Sequence, residues 1–298
     1  MPSMRRVLAP VDISIDCEQE VRSALEVTTA LGAELTLLYV VDQRRNSVRS
    51  PRSSWPDSAM DRNHSGCVLH RAVVRGPVAQ AVSRYAGFID ANFLIVTTRR
   101  RSGLARLWKR STTRELLKAT DRPVLVLKAG VSEAMPLLPG MRILCMLALD
   151  GTDGAVLSHA LSLAVEYDAE LVLFAAVPES NEGLLLNMLF DDGHPSSVEV
   201  AKDRLRKISK ALRVPNQTTV ATGSPYRGMR HAIDQHAIHL VVARRSDGST
   251  GNASSLDTPS LLREAHCPLL SVARAPKLFV ERQEDFKARL DLLETLRA

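Results

Sequence analysis

Two acids close apolar runs at matching places in the chain. Asp12 ends Arg6-Val-Leu-Ala-Pro-Val-Asp12, and Asp150 ends Arg142-Ile-Leu-Cys-Met-Leu-Ala-Leu-Asp150. A carboxylate at such a point either caps the following helix, by accepting its free amides, or holds a ligand. The opposite chemistry is concentrated in Arg99, Arg100, Arg101, Arg106, Lys109, Arg110 and Arg114. Guanidinium forks of this kind clamp phosphate or carboxylate; the plainer reading is a solvated basic face, or one that pairs with an acidic neighbour. A third feature is the small polar stretch from Ser246 to Ser255, whose Gly and Ser residues could wrap an anion or be no more than a loop.

Other chemistry is thinly represented. Cys17, Cys67, Cys145 and Cys267 are too far apart for a zinc or dithiol motif, so they read as buried thiols in a reducing cytoplasm. The histidines are dispersed. His231, His236 and His239 lie near one helix-to-strand passage, but their spacings do not gather them on one face as metal ligands. No nucleophile elbow and no Ser/His/Asp order emerges, which argues against an enzyme.

The elements that position these residues come in two copies. Ala24 to Asp42 gives a helical pattern and then an apolar strand, as does Ala160 to Val177, and both contain Ala-Glu-Leu just before the strand. Val74-Arg-Gly76-Pro-Val aligns with Ala221-Thr-Gly223-Ser-Pro, and Ala91 to Val96 with Ala237 to Val242. Arg122-Pro-Val-Leu-Val-Leu127 aligns with Cys267-Pro-Leu-Leu-Ser-Val272. Near-constant offsets across these landmarks indicate a duplicated domain. Each copy reads strand, helix, strand, loop, strand, helix, strand, helix, strand. That order predicts an α/β fold of two tandem doubly wound parallel five-stranded sheets covered by helices on both faces.

The expected domains are residues 1–128 and 142–274, with a Pro/Gly-bearing linker at 129–141. Residues 43–65 read as a surface loop with little helix. Residues 275–298 read as a C-terminal amphipathic helix, with Phe279, Phe286, Leu290, Leu293 and Leu296 in one stripe. The length of 298 residues suits two domains, and 45% hydrophobic with 24% charged residues excludes disorder along most of the chain. No apolar run approaches a membrane span, and no signal peptide is read at the N-terminus. The net charge of +6 is uneven: residues 1–138 hold 21 Lys+Arg against 13 Asp+Glu, and the remainder 18 against 20. Such asymmetry fits an anionic partner or two halves that complement each other. With 12 aromatics in the whole chain, and only Trp108 in the basic cluster, specific nucleic-acid recognition is not expected.

Val11-Asp12, Gly76-Pro77, Leu94-Ile-Val-Thr-Thr-Arg-Arg-Arg-Ser-Gly-Leu104 and Arg122-Pro-Val-Leu-Val-Leu127 together resemble the universal stress protein family, with the second half a weaker copy. The resemblance implies a stress-response protein whose halves pair within the chain through their last strands, Val124-Leu127 and Leu269-Val272. Nucleotide-binding members carry Gly-x2-Gly-x9-Gly-Ser/Thr after the fourth strand, where backbone amides close on phosphate. Here those positions are Thr97, Arg100 and Arg110, followed by Ser111, so all three glycines are replaced. In the second half they are Ala243, Ser246 and Ser255, followed by Leu256. The ligand-binding residues the resemblance implies are thus Asp12, Val41, Thr97, Arg100, Arg110, Ser111, Asp150, Ser246 and Ser255. The expectation is a cytoplasmic binding or regulatory protein with no cofactor and no tight ATP binding. The rivals are a nucleotide-binding stress protein, with ATP at one domain and weak hydrolysis, and a scaffold that binds an anionic partner through the Arg cluster. A homo-oligomer is compatible with each.

Overall fold

A computed structural model describes residues 6–13, 17–42, 55–56, 63–64, 67–98, 110–128, 140–177, 196–245 and 258–273. In the first half, β1 (Arg6–Val11), α1 (Glu18–Ala30) and β2 (Glu34–Val41) are followed by a two-residue β3 (Asn63–His64). Next come β4 (Cys67–Arg75), α2 (Val78–Phe88), β5 (Phe93–Thr98), α3 (Arg110–Ala119) and β6 (Val124–Lys128). The second half repeats the plan with β7 (Arg142–Leu147), α4 (Gly154–Glu166), β8 (Glu170–Val177), α5 (Ser197–Ala211) and β9 (Asn216–Thr222). It ends with α6 (Pro225–Gln235), β10 (Leu240–Arg244), α7 (Thr258–Glu264) and β11 (Leu269–Val272).

Both five-stranded parallel sets anticipated from the repeat are present, in the orders β4-β2-β1-β5-β6 and β9-β8-β7-β10-β11. They do not remain two sheets. β6 and β11 pair antiparallel, Leu269 with Val126 and Ser271 with Val124, so one sheet runs through the molecule. This is the edge contact expected of Val124-Leu127 and Leu269-Val272. Its physical reason is that each half ends on an unpaired strand edge, and pairing the two edges satisfies both.

The strands read as continuous apolar runs because both faces are covered. Leu35, Leu37 and Leu38 on β2 are fully buried, as are Leu171, Val172 and Leu173 on β8. Helices α1, α4 and α5 cover one face, where a single core extends from Val7 in the first half to Val272 in the second. On the other face α2 and α3 lie over the first half, and α6 and α7 over the second. Leu262 of α7 packs against both of these cores.

Two local expectations are corrected. Between β8 and β9 stands α5, where the repeat had suggested only a loop. Ser196 and Glu199 form a reciprocal capping box at its start, and Ala201 and Leu205 anchor its buried stripe. Within 43–65, expected to be loop, Asn63–His64 adds an antiparallel rung to β4. The linker but for Gly140 and Met141, and the C-terminal helix expected over 275–298, lie outside the described residues.

Candidate functional site

In both halves the strand order reverses between the first and fourth strands of the parallel set, at β1/β5 and at β7/β10. Beyond the carboxyl ends of the strands at such a reversal a crevice opens, because the crossover helices leave toward opposite faces of the sheet. The sequence places Asp12 and Asp150 at these two points. A matched pair of glycines shapes the turn after the third strand of each set. Gly76 has φ +135° and donates its amide to Val41 O at 3.1 Å; Gly223 has φ +82° and donates to Val177 O at 2.9 Å. Both sit in backbone that favours glycine, and both tie the turn to the end of the neighbouring strand.

The first crevice brings together Asp12 after β1, Val41 at the end of β2 and Thr97 near the end of β5, each half-buried. Arg110 and Ser111 open α3. Arg100, with Arg99, Arg101, Arg106 and Lys109 of the basic cluster, lies outside the described residues.

The second crevice is built differently: Asp150, expected from the sequence, is joined there by residues that the sequence did not single out. Arg244, the last residue of β10, reaches across to Asp150. Its Nη1 lies 3.3 Å from Oδ1 and 3.2 Å from Oδ2, and its Nη2 lies 3.2 Å from Oδ2. This two-pronged geometry matches the fork of a guanidinium to the fork of a carboxylate. Asp150 does not cap α4, as its simplest reading would have it. It folds back on its own loop, accepting from the amide and hydroxyl of Thr152. Partial burial works to raise the Asp150 pKa, but the Thr152 donors and the Arg244 guanidinium outweigh it, and the net shift is downward.

The loop is held from below by Asp153. This residue is 6% exposed, and its carboxylate accepts from the amides of Ala148 at 2.9 Å and Leu149 at 2.7 Å. Burial raises its pKa, against the lowering effect of the two amides. Leu149 has φ +57°, a conformation costly for a residue with a Cβ; Asp153 on its amide and Arg204 on its carbonyl, at 2.9 Å, hold it there. A signal for Arg244 did exist in the sequence, since the repeat places it where the first half has Thr98. Ser246 and Ser255 lie outside the described residues.

A second unpredicted arginine sits at the junction of the halves. Arg245 is 6% exposed. Its guanidinium donates to Leu117 O at 2.9 Å, to Thr120 O, and to Arg122 O at 3.0 Å, all in the first half. It also donates to Ser271 O at 3.2 Å. Carbonyls at the end of α3, which have no partner inside the helix, thus receive donors from the other half.

All four cysteines are buried and unbridged, and no group of three or more metal-ligating side chains gathers among the described residues. Burial pushes the Cys145 thiol far up from its ordinary range.

Comparison with known proteins agrees with this architecture. Residues 4–128 match the model of the universal stress protein family. The whole chain is similar in structure to a universal stress protein from Archaeoglobus fulgidus DSM 4304, with a TM-score of 0.65 at 12% identity, covering 92% of this chain and 97% of that one. It is also similar to a protein from Pseudomonas aeruginosa PAO1 described as functionally unknown, with a TM-score of 0.64 at 14% identity and coverage of 96% and 98%. A third similarity, with a TM-score of 0.51 at 11% identity and coverage of 90% and 94%, is to the cytoplasmic domain of a prokaryotic cation chloride cotransporter. A search of curated protein sequences finds no match. At these identities the structural neighbours establish the fold alone.

Proposed function

We propose that this chain, which carries a universal stress protein domain over residues 4–128, is a cytoplasmic binding and regulatory protein of the stress response that works without tight ATP binding and without catalysis. The observation that carries the reading is the Asp150–Arg244 pair. In the second crevice the acid that a nucleotide-binding member would offer to its ligand is already held by the chain's own guanidinium. In the first crevice the support comes from sequence: Thr97, Arg100 and Arg110 stand at the three glycine positions, and residues as bulky as arginine at two of them would crowd a phosphate approaching backbone amides. No cofactor is expected at either.

Calorimetric titration of the full chain with ATP and magnesium tests the proposal. The expected result is no binding at micromolar concentrations. A micromolar dissociation constant that disappears in Asp12→Ala would establish the nucleotide-binding rival instead.

The anionic-partner reading has one further observation in its favour. Lys202, Arg206 and Lys210 lie one turn apart on the exposed side of α5, while Asp203 is paired with Lys207. Retention on an anionic matrix that falls steeply with salt, and is lost when the three are changed to Ala, would support it.

A further inference from the structure

Arg244 and Arg245 are consecutive, yet their side chains serve opposite faces of the sheet. On β10, Leu240 and Val242 belong to the core beneath α1, α4 and α5, whereas Val241 and Ala243 belong to the core beneath α6 and α7. Strand alternation carries on from there. Arg244 emerges on the first side, onto Asp150, and Arg245 on the second, onto the end of α3. The two share one stretch of ladder. Arg244 pairs with Val272, the amide of Arg245 donates to Val272 O at 2.7 Å, and β11 pairs in turn with β6.

We propose that these two arginines act as one lever: a small phosphate- or carboxylate-bearing anion that takes Arg244 from Asp150 acts, through Arg245, on the end of α3 in the other half. The proposal rests on reading the Asp150–Arg244 pair as the closure of the second crevice. Asp150 is then the resident competitor, a carboxylate occupying the guanidinium that an incoming anion would use. Its side chain is 41% exposed and that of Arg244 18%, so the exchange takes place from solvent without opening the core. The two arrangements are Arg244 on Asp150, with the 148–153 loop braced, and Arg244 on the ligand, with Asp150 released. A ligand that prefers the second biases whatever the shared ladder touches, and the first half biases ligand affinity in return.

Amide hydrogen exchange of the full chain tests this, with inorganic phosphate as the probe and Asp150→Asn to remove the competing charge. Phosphate is expected to change exchange several-fold in peptides containing Val241 to Arg245 and in peptides containing Leu117 to Arg122, with a common midpoint. Adding Arg245→Met is expected to abolish the response at 117–122 and to keep it at 241–245. Should the double variant not fold, Arg245→Lys, which retains the charge but not the fork, is expected to weaken the remote response. The proposal is overturned if phosphate changes nothing, if only 241–245 responds, or if the response at 117–122 survives loss of the Arg245 fork. ATP binding that depends on Asp12 would defeat the functional reading of the first crevice and leave this outcome unaffected.

Discussion

Asp150 and Asp153 stand three residues apart in one loop, yet their environments push them in opposite directions. Asp150 is lowered, so its contribution to stability is present above the ordinary carboxylate range and is lost as pH falls through its folded value. Asp153 is raised, so the folded state takes up a proton there before the unfolded state does. Its ionisation weakens the fold as pH rises through a window that opens just above the ordinary range, about 4. Replacing Arg244 by Met is expected to move the Asp150 carboxyl upward, which a carboxyl-detected NMR titration reads directly; an unmoved Asp150 would show that the ion pair is not formed in solution. Asp153→Asn sets a donor against one of the two amides that the carboxylate satisfies. The expected loss is about 1–3 kcal/mol at neutral pH by urea unfolding. The variant should also lack the acid-side gain of the natural chain.

Helix α6 presses on β8 and β9 through Gly228. A Cβ added there would collide with Ala221 and come within 3.2 Å of the Phe174 ring, which is itself 1% exposed. Glycine inside a helix is ordinarily the weaker choice, by roughly 1 kcal/mol relative to alanine. Here close approach of helix to sheet outweighs propensity. Gly228→Ala is therefore expected to destabilise by about 1–3 kcal/mol in chemical unfolding, and a stabilised variant would show that the helix can lift off without loss. The junction of halves is also an element-scale matter. Arg245→Met strips donors from the carbonyls of Leu117, Thr120 and Arg122 and leaves them buried against an apolar chain. A loss of at least about 2 kcal/mol is expected, with faster amide exchange in β6 and β11 ahead of β8 and β9. Uniform exchange across the sheet would instead place the guanidinium outside the forces that hold the junction.

At the scale of the molecule, the core on the α1, α4 and α5 face does not stop at the junction. It includes Val7, Leu35, Ile95 and Leu125 from one half and Ile143, Leu171, Val242 and Val272 from the other. Two domains that share one sheet and one such core are expected to unfold together, so scanning calorimetry should show a single transition. Two well-separated transitions would mean that each half holds its own core. The four cysteines provide an independent readout. Cys17, Cys67, Cys145 and Cys267 are all buried, so their thiols should react with a disulfide reagent only as fast as the chain unfolds.

The repeat, the strand-helix alternation and the place of the two acids were legible in the sequence because they rest on local periodicity. Apolar runs such as Leu171 to Ala175, alternating with helical patterns, read as doubly covered strands, and an acid that follows such a run then lies at a strand's end whatever packs around it. Gly76 and Gly223 were visible for the same reason: a turn that needs positive φ writes itself locally as glycine. Even α5 has a local signature in Ser196 and Glu199, a capping box with no counterpart in the repeat pattern of the first half. Partnership across the chain was not legible. Nothing near Arg244 indicates that its acceptor lies 94 residues away at Asp150, or that Arg245 beside it crosses to Leu117, 128 residues away. Adjacent arginines look alike in sequence, and only the pleat of β10, set between β7 and β11 by tertiary pairing, sends one to the crevice and the other to the junction.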